Sequence, residues 1–360
     1  VKNTCFFNST SFWGGGEKSH LEYASNFQRR NYQVCLVTSS GSELEKRAQE
    51  QAIPVFGFRI GKLSFLNPFM INKLARFFRS QQIDTVFLNS SADLKTGGLA
   101  ARKARIKNIV YMRGLAVPVK NSWLNRYLLT RVVTHPVPNS EDTKKMFLQK
   151  LSSVLPSEHV PVIYRGINFE DWDKRAVNPH IFRENDELIL GNAGRLVKQK
   201  GQDFLIDVAR ELKQKGVRFK LVIAGVGPLE QELKTKALNN GLEKEIIFPG
   251  FYKNIRDFLA GIDVFLFPSL WEGFGNAMVE AMYEKKPVVA FNLTSNPEII
   301  QSGENGFLVD YPKLDDFVTT ILKLAQDEKL RQHIGEEAHH SVKGRFSFDR
   351  IIQDWEKLLD

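Results

Sequence analysis

Val264-Phe265-Leu266-Phe267-Pro268-Ser269-Leu270-Trp271-Glu272-Gly273-Phe274-Gly275-Asn276-Ala277-Met278-Val279-Glu280-Ala281-Met282 is the stretch from which the rest of the chain is read. Its first four residues form a short, unbroken apolar run, the pattern of a strand buried on both faces. Gly273 and Gly275 make a tight turn, and a helix is predicted from Asn276 to about Lys286. A strand, a glycine turn and a helix start leave backbone N–H groups free to meet an anion. Glu272 stands on the loop before the helix and Glu280 about one turn into it. Donors for phosphate beside carboxylates for hydroxyls suit a nucleotide sugar.

The same strand–turn–helix alternation surrounds this stretch. Leu188 to Gly194 reads as a strand, followed by Arg195-Leu196-Val197-Lys198-Gln199-Lys200-Gly201. Arg195 offers a planar fork of donors and Lys200 a mobile ammonium, a pair suited to a diphosphate. Further strands are predicted at Phe219–Ala224, Ile246–Phe251 and Val288–Phe291. Gly225-x-Gly227 lacks the third glycine of a dinucleotide fingerprint, which argues against NAD. The first half opens as a βαβ unit: a strand over Lys2–Asn8, Gly14-Gly15-Gly16-Glu17, a helix from about Lys18 to Arg30, and a strand at Val34–Thr38. Thr85–Asn89 and Ile109–Met112 are later strands, the second delivering Arg113 to a strand end where α/β sheets bind ligands. Arg113 is read either as a binder of phosphate or carboxylate or as a member of a structural ion pair.

A chain of 360 residues exceeds one typical core, so two domains are expected. No apolar run reaches the roughly 18 residues of a membrane span. Cys5 and Cys35 lie in strand-like runs, which predicts reduced core residues and a cytosolic setting, and no metal-ligand spacing is present. The net charge of +9 is uneven: residues 1–165 hold 24 Lys and Arg against 10 Asp and Glu, the remainder 26 against 31. A basic first half implies an anionic partner, either acidic lipid headgroups or nucleic acid. Asn67–Ser80 is a basic amphipathic helix, able to rest on a bilayer or to face a core.

The Glu-x7-Glu pattern of Glu272 and Glu280, the Gly-Arg-Leu-x-x-x-Lys-Gly run ending at Gly201 and the Gly-Gly-x-Glu turn at residues 14–17 together resemble the family-four retaining glycosyltransferases of group 1. Val162–Asn168 resembles the interdomain segment of that family, with Arg165 and Asn168 as departures. The resemblance implies an α/β chain of the GT-B architecture, two Rossmann-like, doubly wound domains facing across a cleft. It implies an acceptor-binding domain over residues 1–168, a nucleotide-sugar domain over 169–345, and a terminal helix, 346–360, returning to the first.

The implied reaction moves a sugar from a nucleotide donor, a UDP-sugar, to an acceptor hydroxyl with retention, without metal or further cofactor. By the same resemblance Arg195, Lys200 and Glu272 carry the chemistry, and Gly15, Gly16, Phe248, Phe274, Gly275, Asn276 and Glu280 complete the donor site. Gly15, Asn89 and Arg113 are assigned to the acceptor, although relatives often place a histidine in those loops. The implied acceptor is lipid-linked or a saccharide, as in bacterial cell-surface polysaccharide or lipopolysaccharide synthesis. The enzyme is expected at the inner face of the plasma membrane, peripheral and cytoplasmic, with no nucleic acid. A nucleotide-sugar epimerase or hydrolase of the same fold and a basic nucleic-acid-binding protein are the alternatives. Asp171-Trp172-Asp173 spells a metal-binding Asp-x-Asp, but its place between domains predicts a capping or solvated role.

Overall fold

The computed structural model describes residues 2–61, 63–179, 182–184 and 186–360. They divide into two units, one ending at Gly166 and completed by Phe348–Asp360, the other Ile167–Ser347. The first unit has six strands, β1 (Asn3–Asn8), β2 (Gln33–Ser39), β3 (Val55–Phe58), β4 (Thr85–Leu88), β5 (Asn108–Arg113) and β6 (His135–Pro138). All pair in parallel, in the order β3-β2-β1-β4-β5-β6. The second unit repeats the plan with β7 (Leu188–Ala193), β8 (Phe219–Ala224), β9 (Ile246–Gly250), β10 (Val264–Phe267), β11 (Val288–Phe291) and β12 (Phe307–Val309). Their order is β12-β11-β10-β7-β8-β9, again parallel. Each sheet therefore reverses its winding between two central strands, β1/β4 and β7/β10. Ligands of doubly wound sheets bind at the carboxyl ends of strands flanking such a switch.

Local chemistry sets the helix starts. Ser42 caps the helix Glu43–Glu50, Asn67 and Pro68 begin Pro68–Ser80, and Ser90 with Asp93 forms a capping box on Ser91–Ala104. The basic helix Pro68–Ser80 turns Leu74, Ala75 and Phe78 into the core, so its apolar face is a core face. The bilayer reading is thereby confined to its first turn, where Phe69 is 83% exposed. The last helix, Phe348–Leu359, buries Phe348, Ile351, Ile352, Trp355 and Leu359, one helical stripe, in the first unit. Trp355 meets Phe87 edge-on at 5.2 Å there.

Several boundaries differ from the sequence reading. The first helix begins at Gly15, one turn before Lys18, because Lys18 N–H already reaches the Gly14 carbonyl. Gly15 and Gly16 are thus helical and not loop. The helix after Gly275 stops at Tyr283, short of Lys286. Phe169–Asp173, which contains the Asp171-Trp172-Asp173 triplet, is a short helix capped by Asn168.

His20, on the helix Gly15–Arg29, is fully buried, its ring 5.5 Å from Phe6 and both nitrogens without a partner. Burial lowers its pKa from 6.5 to about 3. The unfolded chain therefore binds a proton that the native one refuses between those values, and stability falls as pH drops through that window. We expect acid unfolding of His20→Leu to be flatter than wild type between pH 6 and 4, by up to about 1.4 kcal/mol per pH unit. Chemical denaturation across that range measures the slopes; equal slopes refute the assignment.

Candidate active site

The second unit's site is assembled from loops following two neighbouring strands, β7 and β10. After β7 the chain passes Gly194 and Arg195, makes a tight turn at Lys198–Lys200, and enters the helix Gln202–Gln214. After β10 it runs through Pro268 to Glu272 and turns at Gly275 into the helix Asn276–Tyr283. The two segments are bonded together: Leu270 N–H donates to the Gln199 carbonyl at 2.8 Å, and the Gln199 side-chain amide to the Trp271 carbonyl at 2.7 Å. Gly201 makes this approach possible. It adopts φ +65°, and a Cβ there would lie 2.2 Å from the Pro268 carbonyl oxygen. Gly225, after β8, serves the neighbouring contact, since a Cβ would lie 1.9 Å from the Gly194 oxygen. Its role is packing, which the fingerprint test could not reveal.

Lys200 and Glu272 meet in the result. Lys200 Nζ donates to Glu272 Oε1, with the two side chains 18% and 10% exposed. The ammonium also sits 5.8 Å from the Phe267 ring centre. Arg195 is exposed, and among the described residues its guanidinium makes no hydrogen bond or ion pair; its carbonyl accepts from the buried Gln202 amide at 3.1 Å. Gly275, at φ +82°, precedes the helix that carries Asn276 as first residue and Glu280 as fifth. Asn276 Oδ1 is buried without a partner. Phe274 is buried edge-on against Phe346 at 5.1 Å, and Glu280 is half-buried. Phe248 lies along β9, two strands beyond β7 in the sheet, with Lys234 Nζ 5.9 Å from its ring. Arg195, Lys200, Glu272 and the Asn276 helix start therefore converge at the β7/β10 switch point.

The first unit repeats this construction at β1/β4. Gly16, in the first helical turn after β1, lies so near Asn89, after β4, that a Cβ would sit 2.2 Å from its Nδ2. Asp93 fastens the two loops: its carboxylate accepts from Ser9 N–H at 2.7 Å, from Ser9 Oγ and from Ser90 N–H. Burial raises the Asp93 pKa, with those hydrogen bonds opposing the rise. Beside it, Asn8 donates to the buried Glu17 at 3.3 Å. Sequence reading passed over Asp93, and its Ser-x-x-Asp cap was the available signal. Arg113 ends β5, next to β4, and is only 6% exposed. Neither carboxylate of Asp171-Trp172-Asp173 stands free. Asn168 donates to Asp171 at 2.7 Å and Tyr283 OH to Asp173 at 2.9 Å, a structural use.

Residues 173–341 match the family described as Glycosyl transferases group 1, and residues 13–171 match Glycosyltransferase Family 4. The capsular polysaccharide biosynthesis glycosyltransferase CapM of Staphylococcus aureus is 28% identical over 361 residues, covering 92% of this chain and 91% of CapM. An Escherichia coli UDP-Gal:alpha-D-GlcNAc-diphosphoundecaprenol alpha-1,3-galactosyltransferase is 24% identical over 305 residues, 80% of this chain and 77% of that one. The fold matches the crystal structure of Anabaena HepE in complex with UDP and glucose, with TM-score 0.81 and 22% identity over 100% of this chain and 99% of HepE.

The Lys200–Glu272 contact makes a stability prediction independent of any ligand. Lys200→Met strands a mostly buried carboxylate and should destabilise the protein by about 2 kcal/mol, below the 3–5 of fully buried pairs because both groups keep some exposure. Lys200→Met/Glu272→Gln should recover more than half of that loss in urea denaturation. A double variant as unstable as the sum of its singles would show that the pair is not coupled.

Proposed function

The chain belongs to the family-four glycosyltransferases of group 1, and on that footing we propose that it transfers a sugar from a UDP-sugar to an acceptor hydroxyl with retention of configuration. The acceptor is a lipid-linked or other saccharide in the building of a cell-surface polysaccharide or lipopolysaccharide. The observation that carries this reading is the convergence of Arg195, Lys200, Glu272 and a helix N-terminus at the β7/β10 switch point. The UDP in the HepE structure and the UDP-galactose and diphosphoundecaprenol in the name of the E. coli relative support the choice of donor and acceptor.

The mechanism follows from what each group can do. A departing nucleoside diphosphate develops negative charge while the sugar ring becomes positive. Arg195, unpaired among the described residues, supplies a bidentate cation to the diphosphate, and the first-turn amides from Asn276 add donors aimed along the helix axis. Lys200 exchanges Glu272 for the diphosphate on donor binding. That exchange frees the Glu272 carboxylate for sugar hydroxyls at the moment the sugar arrives. Glu280, one turn into the helix, holds the ribose hydroxyls. Preorganised charge of this kind stabilises the transition state because it needs no reorganisation. The acceptor attacks from the face the diphosphate leaves, with a donor phosphate oxygen taking its proton, so the chemistry requires no metal ion.

A thermal-shift screen against UDP-, GDP-, ADP- and CMP-sugars tests the reading. We expect a UDP-sugar alone to raise the melting midpoint, with the rise lost in Arg195→Ala and Glu280→Ala. A rise that survives both substitutions places the nucleotide elsewhere. Association with an anionic membrane belongs to the same proposal. It is supported by the excess of basic residues before residue 166 and by exposed Leu63, Leu66, Phe69 and Trp123 beside them. No described helix is long and apolar enough to cross a membrane. Vesicles containing phosphatidylglycerol should co-sediment the protein at 50 mM salt, as a chosen low-salt condition, and release it on Phe69→Ser/Trp123→Ser substitution or at high salt. Retention of the double variant would locate the contact on another surface.

A further inference from the structure

Arg113 occupies an unusual position for an arginine. It is the last residue of β5, is 6% exposed, and has no carboxylate within ion-pair distance among the described residues. One Nη donates to Tyr111 OH at a long 3.4 Å and the other to the Val117 carbonyl at 2.9 Å. Nε is buried with no partner. A guanidinium carries five N–H groups, so three are left without a protein acceptor. Nε–H and the second hydrogen of the neighbouring Nη form one edge of the fork, the edge that grips a two-oxygen anion.

Asn139 is the neighbour of Arg113 along the sheet edge. It follows β6, the strand paired with β5, in which Pro138 lies opposite Arg113. Asn139 N–H donates to the Arg113 carbonyl at 3.0 Å, while its own Oδ1 is buried and unpartnered. A Cβ at Gly114 would stand 3.7 Å from Asn139 Nδ2, so the Asn139 amide lies against residue 114. Glu141 and Asp142 open the helix that follows Asn139, but among the described residues neither forms an ion pair with Arg113. From residue 94 to residue 140 there is no Asp or Glu, against nine Lys and Arg. The acid just before this run, Asp93, is occupied by Ser9 and Ser90.

A buried cation without a counter-ion is costly, and a folded protein ordinarily pairs it or neutralises it. Arginine does not take the second route, because it remains protonated. It stands instead at the carboxyl edge of a doubly wound sheet, where such sheets receive ligands. We infer that Arg113 is the receptor for a phosphate group carried by the acceptor, so that the missing counter-charge arrives with the substrate. This rests on the transfer reading above and narrows it: the preferred acceptor is a phosphate-bearing molecule, and a neutral saccharide is a poor one.

Hexyl phosphate, hexanoate and hexanol, titrated by calorimetry into the intact protein, test the inference without donor or turnover. Wild type should bind hexyl phosphate about tenfold or more tightly than hexanol, the ratio that one charge-assisted pair provides. Arg113→Gln should lose that preference, Arg113→Lys should keep part of it, and Arg195→Ala should keep all of it, placing the anion in the first unit. Asn139→Asp serves if Arg113→Gln does not fold. It adds a negative charge at the residue bonded to the Arg113 carbonyl and should abolish hexyl phosphate binding. Absence of a phosphate preference in wild type, or its survival in Asn139→Asp, overturns the inference. Tighter binding of hexanoate than of hexyl phosphate reassigns the site to a carboxylate and overturns the phosphate assignment. A protein that passes the UDP-sugar screen and ignores hexyl phosphate loses this inference alone, whereas one that fails both loses the transfer reading as well.

Discussion

The chain after β7 and the chain after β10 touch because residue 201 has no side chain. A Cβ at Gly201 would overlap the Pro268 carbonyl, and the hydrogen bonds from Leu270 to Gln199 and from Gln199 to Trp271 would separate. With the backbones joined, Lys200 has little choice of direction. Its stem lies along Gly194, and its ammonium reaches Glu272, a carboxylate supplied by the other segment. Charge, helix dipole and exposed Arg195 are thereby held around one strand switch. The site is a consequence of backbone contact before it is a consequence of charge.

That construction has an energetic logic suited to group transfer. Lys200 and Glu272 satisfy each other in the free protein, so neither pays an uncompensated desolvation cost while the site waits for a ligand. In the proposed reading, a ligand offering both an anion and hydroxyl groups replaces both partners together. The first unit solves its own problem differently. Asp93 binds the loops after β1 and β4 through Ser9 and Ser90, and Ser39 Oγ donates to the Ser9 carbonyl at 2.6 Å. Gly16 and Asn89 are held close as a result. Arg113, on the next strand, is the place where internal compensation stops.

The segment that leads into the second unit is equally anchored. Trp172 Nε1 donates to Glu284 at 2.5 Å, Arg256 Nε binds the same carboxylate at 2.8 Å, and Phe169 stacks on Tyr283 at 3.8 Å. Ile167 N–H donates to the Phe346 carbonyl, so the second unit's two ends lie side by side. The sequence around Asp171 carried little periodicity because these contacts are made by single side chains over a short helix. Their partners lie about a hundred residues away, and no local pattern encodes such pairings.

Much of the fold was legible in the residues themselves. Unbroken apolar runs such as Val264–Phe267 announce strands buried on both faces, and restarting strand–helix alternation announces a second α/β unit. The positions of Arg195, Lys200, Glu272 and Glu280 at strand ends and a helix start were legible in the same way, whereas their roles rest on the resemblance of the motifs. Strand order, and hence which loops become neighbours, was not legible. It depends on winding direction at the central strands, a property of how whole layers pack. Only the tertiary structure decided that Lys200 faces Glu272, that Gly225 is required by Gly194 and that Asp93 joins two loops. Only there, too, is Arg113 left without an acid: a residue's type states its charge, whereas its counter-charge depends on what the rest of the chain brings within reach.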